Sequence, residues 1–315
     1  MKNNNLCNFF YSEDSWQTTL QALLPLVHNV DQDATRIWFA LWPPSLHQKL
    51  DQSEDLNHTI HTLEIEGQWW LKEQLESSLS FFFAFQYWAK VRKAVCSFAE
   101  NLTSCDENLG AQIHKVVKTL SSDLKIPESH LIGITAASLM SLQQVGLATL
   151  AETSPKISTK KSSPEQFLKA RTKKRNHLFG FLKTVDSKHT IVFNEHDKKC
   201  SFKAISGQDI SMASGMNLRN HQSTDPRCSE GPIPFQCRTG TRGSCWIGVL
   251  SGKENLSAIS EFEKERLHYF GYDFGIPKCE THPPIRLSCQ SKCYGNVSIV
   301  IPPWNGVLNV LRSDR

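Results

Sequence analysis

The sequence lacks most features that place a chain in a class at sight. Its formal net charge is only +4, so the whole chain is not a polybasic nucleic-acid binder, and any basic patch must be local. The opening stretch, MKNNNLCNFFYSEDSW, has one early lysine, no apolar run and an acidic pair, which does not read as a secretory leader. The longest apolar stretch, LIGITAASLMSLQQVGLATL at 131–150, is broken by paired glutamines and several hydroxyl residues. A spanning helix needs about 20 predominantly apolar residues, so this one is expected as a buried helix, with the cytoplasm as the compartment and no membrane partner. No phosphate-cradling glycine loop, nucleophile elbow or H-E-x-x-H occurs, which argues against an enzyme of those kinds. No internal repeat is visible.

What is present fills two ordinary domains: 315 residues, 39% hydrophobic and 21% charged, the composition of a globular protein. The first 152 residues read as a mainly helical domain of unknown role. Between about Gly67 and Asn101, Leu71, Leu75, Leu79, Phe82, Tyr87, Val91, Val95 and Phe98 recur at helical spacing. A second helix is expected from about Asn108 to Leu124, and a third from Pro127, where proline suits a first turn, to Glu152. The segment RIWFALWPP at 36–44 reads as a strand or a short helix. The aromatic run SFFFAFQYW at 80–88 is expected as a helix buried on most sides.

Residues 153–176 read as a basic linker rich in serine, threonine and proline, with a short helix at 164–173. ETSPKISTKKSSPEQFLKARTKKRN holds eight lysines and arginines against two glutamates; the expected role is a solvated connector, and nucleic acid is not expected as a partner. From 177 to 315 the pattern turns mixed. HTIVFN and CSFKAI flank EHDKK as a hairpin. ISMASGMNLRN reads as a short helix, CWIGVL and NVSIVIP as strands, and SEFEKERLHYFG as a helix closed by Gly271. The expected fold class is α+β.

Ten cysteines are spread unevenly: Cys7, Cys96 and Cys105 are scattered, and the other seven lie from Cys200 onward. Without an export signal, disulfides explain them poorly, and metal ligands or buried thiols explain them better. A plant-type [2Fe–2S] cluster is held by C-x4-C-x2-C plus a distant fourth cysteine. Three close thiolates wrap a short loop around the metal, while glycines let backbone N–H groups approach the sulfurs. In FQCRTGTRGSC at 235–245, Cys237 takes the first ligand position and Cys245 the third. Gly240 and Gly243 lie in the loop, and Cys289, in IRLSCQ, is the candidate fourth ligand. The second position holds Arg242.

These segments resemble the [2Fe–2S] ferredoxin-type domain. CRTGTRGSC is similar to that family's C-R-x-G-x-C-G-x-C loop, RLSCQ to its fourth-ligand segment, and YGNVSIVIP to its closing strand. The resemblance covers about 189–302, a third of the chain, and implies a β-grasp fold. It also implies one-electron transfer through a [2Fe–2S] cluster and docking on redox partner proteins, a reductase and an acceptor. Carried over, Cys237, Cys245 and Cys289 are ligands. The first two family positions hold one iron and the last two the other, so the departure at Arg242 leaves one iron a ligand short.

A guanidinium stays protonated and offers iron no lone pair. The vacant position is then filled by a spare cysteine (Cys228 or Cys293) or by water, or the cluster is absent. In the last case the domain is a cluster-free pseudo-ferredoxin that serves as a protein-interaction or regulatory module. An enzyme whose helical half binds a substrate and draws electrons from the cluster is the weaker third reading. Cys279 beside His282 does not make a zinc site, and His58 and His61 are expected as surface histidines.

Overall fold

The computed structural model describes residues 11–42, 71–102, 108–153, 157, 161–172, 187–197, 199–223, 225, 228–234, 237–241, 243–273 and 275–302. The chain divides into two compact units, with the division between Pro164 and Glu165, inside the stretch expected as linker. The architecture is mixed α+β, as expected: helices come first and a five-stranded sheet follows.

The first unit contains α1 (Glu13–Leu23), α2 (Asn29–Leu41), α3 (Leu71–Leu79), α4 (Trp88–Glu100), α5 (Leu109–Leu124) and α6 (Ile132–Glu152). Helix α6 packs against α2, α3, α4 and α5. That central place explains why its sequence is apolar all round. It is long and apolar enough to cross a membrane, yet 67% of its most apolar window is buried inside the protein. Gly146, at φ 78° and ψ 163°, kinks it. The stretch at 36–44 resolves as helix through Leu41.

The periodicity at 71–100 is not one helix. Between α3 and α4 the chain runs extended at Phe82 and then takes a 3-10 turn, Phe83–Tyr87. The reason lies in α2. The carboxylate of Asp31, which is 1% exposed, accepts from the Phe83 and Ala84 backbone N–H groups at 2.6 and 3.1 Å. A buried carboxylate that satisfies two orphan amides fixes a new helical start there. Phe81, Phe82, Phe83 and Phe85 are all buried, so the aromatic run is buried as expected, across a break instead of along a helix. The third expected helix also begins differently, with a 3-10 turn (Glu128–His130) after Pro127.

The second unit opens with α7 (Pro164–Thr172), followed by β1 (Lys188–Val192), β2 (Ser201–Ile205), β3 (Gln208–Asp209), α8 (Ile210–Gly215) and β4 (Trp246–Ser251). It closes with α9 (Glu261–Tyr269), β5 (Ile285–Leu287), β6 (Lys292–Cys293) and β7 (Val297–Val300). The main sheet has the order β2-β1-β7-β4-β5. The expected hairpin is β1 and β2, antiparallel, with Ile191 opposite Phe202. Strand β7 enters parallel to β1, Ile191 opposite Val297, and antiparallel to β4. Strand β5 pairs antiparallel with the far side of β4. A separate two-stranded ladder joins β3 to β6. The helix expected at 210–220 stops at Gly215. Helix α9 matches the helix expected at 260–271; Gly271, at φ 64°, follows its last turn.

Candidate metal centre

The β4–β5 ladder creates the site. Trp246 pairs with Leu287, and beyond that pair the Ser288 N–H donates to the Cys245 carbonyl at 3.0 Å. Two residues 44 apart in sequence are thereby carried to one end of the ladder, with Cys245 Sγ and Cys289 Sγ 3.4 Å apart. That is well beyond a disulfide bond of about 2.05 Å. It is close to the separation of about 3.8 Å that two thiolates take on a tetrahedral metal with bonds of about 2.3 Å.

Both sulfurs are buried; Cys245 is 1% and Cys289 7% exposed. The Cys245 thiol donates to Cys289, and the Gln290 side-chain amide donates to the same sulfur at 3.6 Å. Those donors favour a thiolate at Cys289 and hold its pKa below the ordinary thiol value, whereas the shared bond and burial push Cys245 up. The two thiols are thus buried and share one proton-mediated contact.

The loop ahead of Cys245 is shaped by its glycines. Gly240 and Gly243 have φ of 80° and 68°, a region that disfavours side chains. A Cβ at Gly240 would meet the Phe262 ring at 2.9 Å, and one at Gly243 would meet Trp246 Nε1 at 2.8 Å and Phe270 at 2.9 Å. Cys237, half-buried, opens the loop, and the Thr241 hydroxyl lies against its sulfur at 3.5 Å. Thr239 and Thr241 hydroxyls share a hydrogen bond of 2.7 Å. Arg238 pairs with Glu230 at 2.9 Å. The Arg266 guanidinium, stacked on Tyr269 and Phe270, donates to the Thr241 carbonyl. Cys237 bears electrostatically on Cys289. Among the described residues, no three His, Cys, Asp or Glu side chains are gathered at metal-binding distance.

A buried ion pair lies beside the β5 strand. Arg286 on β5 and Glu263 on α9, both with 0% of the side chain exposed, meet through two bonds of 2.9 and 3.0 Å. Glu263 also accepts from the Leu287 N–H at 2.7 Å, and Arg286 donates to the Ser257 carbonyl at 2.8 Å. This bidentate clamp fixes the segment that leads into Cys289. Sequence reading passed over Glu263, Arg286, Gln290, Arg266 and Thr241. One signal was available: Ser260 and Glu263 have the capping-box spacing. The Ser260 hydroxyl does accept from the Glu263 N–H, but the Glu263 carboxylate turns to Arg286 instead of back to the helix start.

The other predicted residues are placed as follows. Cys228 is buried and its thiol donates to the Pro232 carbonyl at 3.3 Å. Cys293, on β6, is buried and donates to the Gly295 carbonyl at 3.0 Å, and burial raises its pKa. Arg242, Cys7, Cys105, His58 and His61 lie outside the described residues. Cys279 is exposed, and His282 bonds to Thr281. Burial and the Asp197 carboxylate push Cys200 up to about 11. Burial also raises the half-buried Cys96.

The structure therefore brings two of the predicted sulfurs, Cys245 and Cys289, to within 3.4 Å of each other. Cys237, the third predicted sulfur, is half-buried and, among the described residues, is not gathered with that pair into a group of three possible ligands. No protein-family model, no curated protein and no solved structure matches the chain.

Proposed function

We propose that the second unit is a ferredoxin-type β-grasp module that carries a [2Fe–2S] centre and serves one-electron transfer between redox partner proteins. A hairpin, a helix packed against β5, and a last strand inserted parallel to the first support the β-grasp reading. The observation that carries the function is the Cys245–Cys289 sulfur pair, 3.4 Å apart in a buried seat at the end of the ladder. When bound, the centre supplies reversible one-electron chemistry. The chain's part is to hold thiolates, exclude water and donate hydrogen bonds to sulfur. Gln290 does the last at Cys289, and such bonds tune the potential.

The test is anaerobic purification of the full chain, reconstitution with ferrous iron and sulfide, and measurement of bound iron, visible absorption and the reduced-state EPR signal. The reading requires about two irons and two sulfides per chain, abolished in Cys245→Ser and Cys289→Ser. A colourless, iron-free protein overturns it and leaves the cluster-free interaction module.

A further inference from the structure

Two buried thiols in contact can also join to each other. We propose that Cys245 and Cys289 form a reversible disulfide, a thiol switch that a hydroperoxide closes and a dithiol reopens. The bond itself does not depend on the function proposed above. Its consequence for that function rests on that reading: the closed form withholds both sulfurs from iron.

The two sulfurs are 3.4 Å apart, with the Cys245 thiol donating to Cys289. A disulfide bond is about 2.05 Å long, so about 1.4 Å remains to be closed. That is less than the length of one carbon–sulfur bond. The backbone on both sides is held, and side-chain rotation supplies the approach. The Ser288 N–H donates to the Cys245 carbonyl, and the Ser288 carbonyl accepts from the Ser211 N–H at 3.1 Å. The Gln290 N–H and the Ser291 hydroxyl both donate to the Leu287 carbonyl, at 3.0 and 2.9 Å, which fixes the turn that carries Cys289. Two other buried thiols are directed to carbonyls instead: Cys228 donates to Pro232 and Cys293 to Gly295.

Cys289 is the attacking sulfur, because it is the more exposed of the pair and accepts the hydrogen bond. It attacks a peroxide oxygen; an S–O bond forms, the O–O bond breaks, and the departing oxygen leaves with the thiol proton as water or alcohol. Cys245 then attacks the resulting sulfenic acid. The S–S bond forms, the S–O bond breaks, and the hydroxyl leaves with the Cys245 proton as water. Two electrons pass from the sulfurs to the hydroperoxide. In a reducing compartment such a bond is transient and redox-sensing.

The experiment uses the full-length chain, freed of metal by a chelator, reduced with dithiothreitol and desalted without oxygen. Equimolar hydrogen peroxide is added, remaining thiols are capped with N-ethylmaleimide in urea, and an unreduced tryptic digest is read by mass spectrometry. Trypsin places the two cysteines in separate short peptides, Gly243–Lys253 and Leu287–Lys292, so the bond reads as one linked mass. That mass should dominate, with loss of two cappable thiols per chain, and dithiothreitol should restore both. Cys245→Ser and Cys289→Ser should each abolish it, and a chain oxidised while unfolded in urea should scatter its pairings. A linked peptide no more abundant in the native than in the unfolded chain overturns the inference, as does Cys289 joined chiefly to the peptide carrying Cys237. Reconstitution of the same samples with ferrous iron and sulfide separates this inference from the function. Iron uptake by the reduced chain, lost in the oxidised one, supports both, and equal uptake overturns the consequence for iron. Absence of the linked peptide overturns the disulfide and leaves the function standing. A linked peptide in a chain that takes up no iron when reduced overturns the function and leaves the disulfide standing.

Discussion

Glu263 and Arg286 show how much a single contact can govern. Their charges are removed from water completely, and that desolvation is offset by the bonds between them and those to the Leu287 N–H and the Ser257 carbonyl. Removing one partner leaves a buried charge without its counter-ion, the case that costs about 3–5 kcal/mol. Glu263→Gln should therefore lower stability by about that amount in urea unfolding of the full chain. Glu263→Leu/Arg286→Met should recover most of the loss, because a packed apolar pair carries no desolvation penalty. A Glu263→Gln chain as stable as wild type would mean the pair does not hold α9 to β5. This clamp was half legible in the sequence. The S-x-x-E spacing marks the start of a helix, but pattern alone does not say that the glutamate serves a strand more than twenty residues downstream. The cysteine pattern was more informative: the loop spacing picked out Cys245 and the IRLSCQ segment picked out Cys289, and the ladder brings these two together.

The helix break at 80–87 teaches the complementary lesson about elements. The 3.6-residue period continues across it, because the aromatic side chains are buried whether the backbone is α-helical, extended or 3-10. Burial periodicity reports which residues face inward, and it is blind to which backbone hydrogen bonds are made. The deciding group, Asp31, lies on α2, some fifty positions earlier, and nothing local marks it as the acceptor for Phe83 and Ala84. Asp31→Ala should leave two buried amides without that acceptor and cost about 3 kcal/mol, read as a lowered urea midpoint. Asp31→Asn, which keeps one acceptor oxygen, should cost less. Equal stability of the alanine variant would show that the break is set by the aromatic packing alone. The self-contained helix α5 was readable because its cap and apolar face are local: the Asn108 side chain accepts from the Gly110 N–H. Strand β5 was not: with three residues, all buried, it shows no alternation, and only its pairing with β4 defines it.

The division of the whole molecule turns on what the basic stretch before the sheet does. Composition marks 153–176 as a connector, since it is rich in serine, threonine, proline and lysine. Composition does not register that individual residues within it are anchored. The Ile157 N–H donates to Glu76, and Ser162 exchanges hydrogen bonds with Gln86, both within the first unit. Helix α7 belongs with the sheet. Arg171, with 4% of its side chain exposed, bonds Glu195 through Nε at 2.9 Å and stacks over Phe167. Its carbonyl accepts from the Ser251 hydroxyl, and Glu195 in turn accepts from Ser298 on β7. The anchor thus reaches from α7 through Glu195 to the parallel strand at the centre of the sheet. A fragment of residues 164–315 should fold cooperatively, whereas one of residues 177–315, cut where composition places the domain start, should be less stable. The loss should be about 2–3 kcal/mol, as for a hydrogen-bonded charge that has lost its partner, and guanidinium unfolding followed by far-UV circular dichroism would measure it. Arg171→Ala in the longer fragment should reproduce most of the deficit. If the two fragments unfold at the same midpoint, α7 is a tether, and the ion pair with Glu195 contributes nothing to the fold of the sheet.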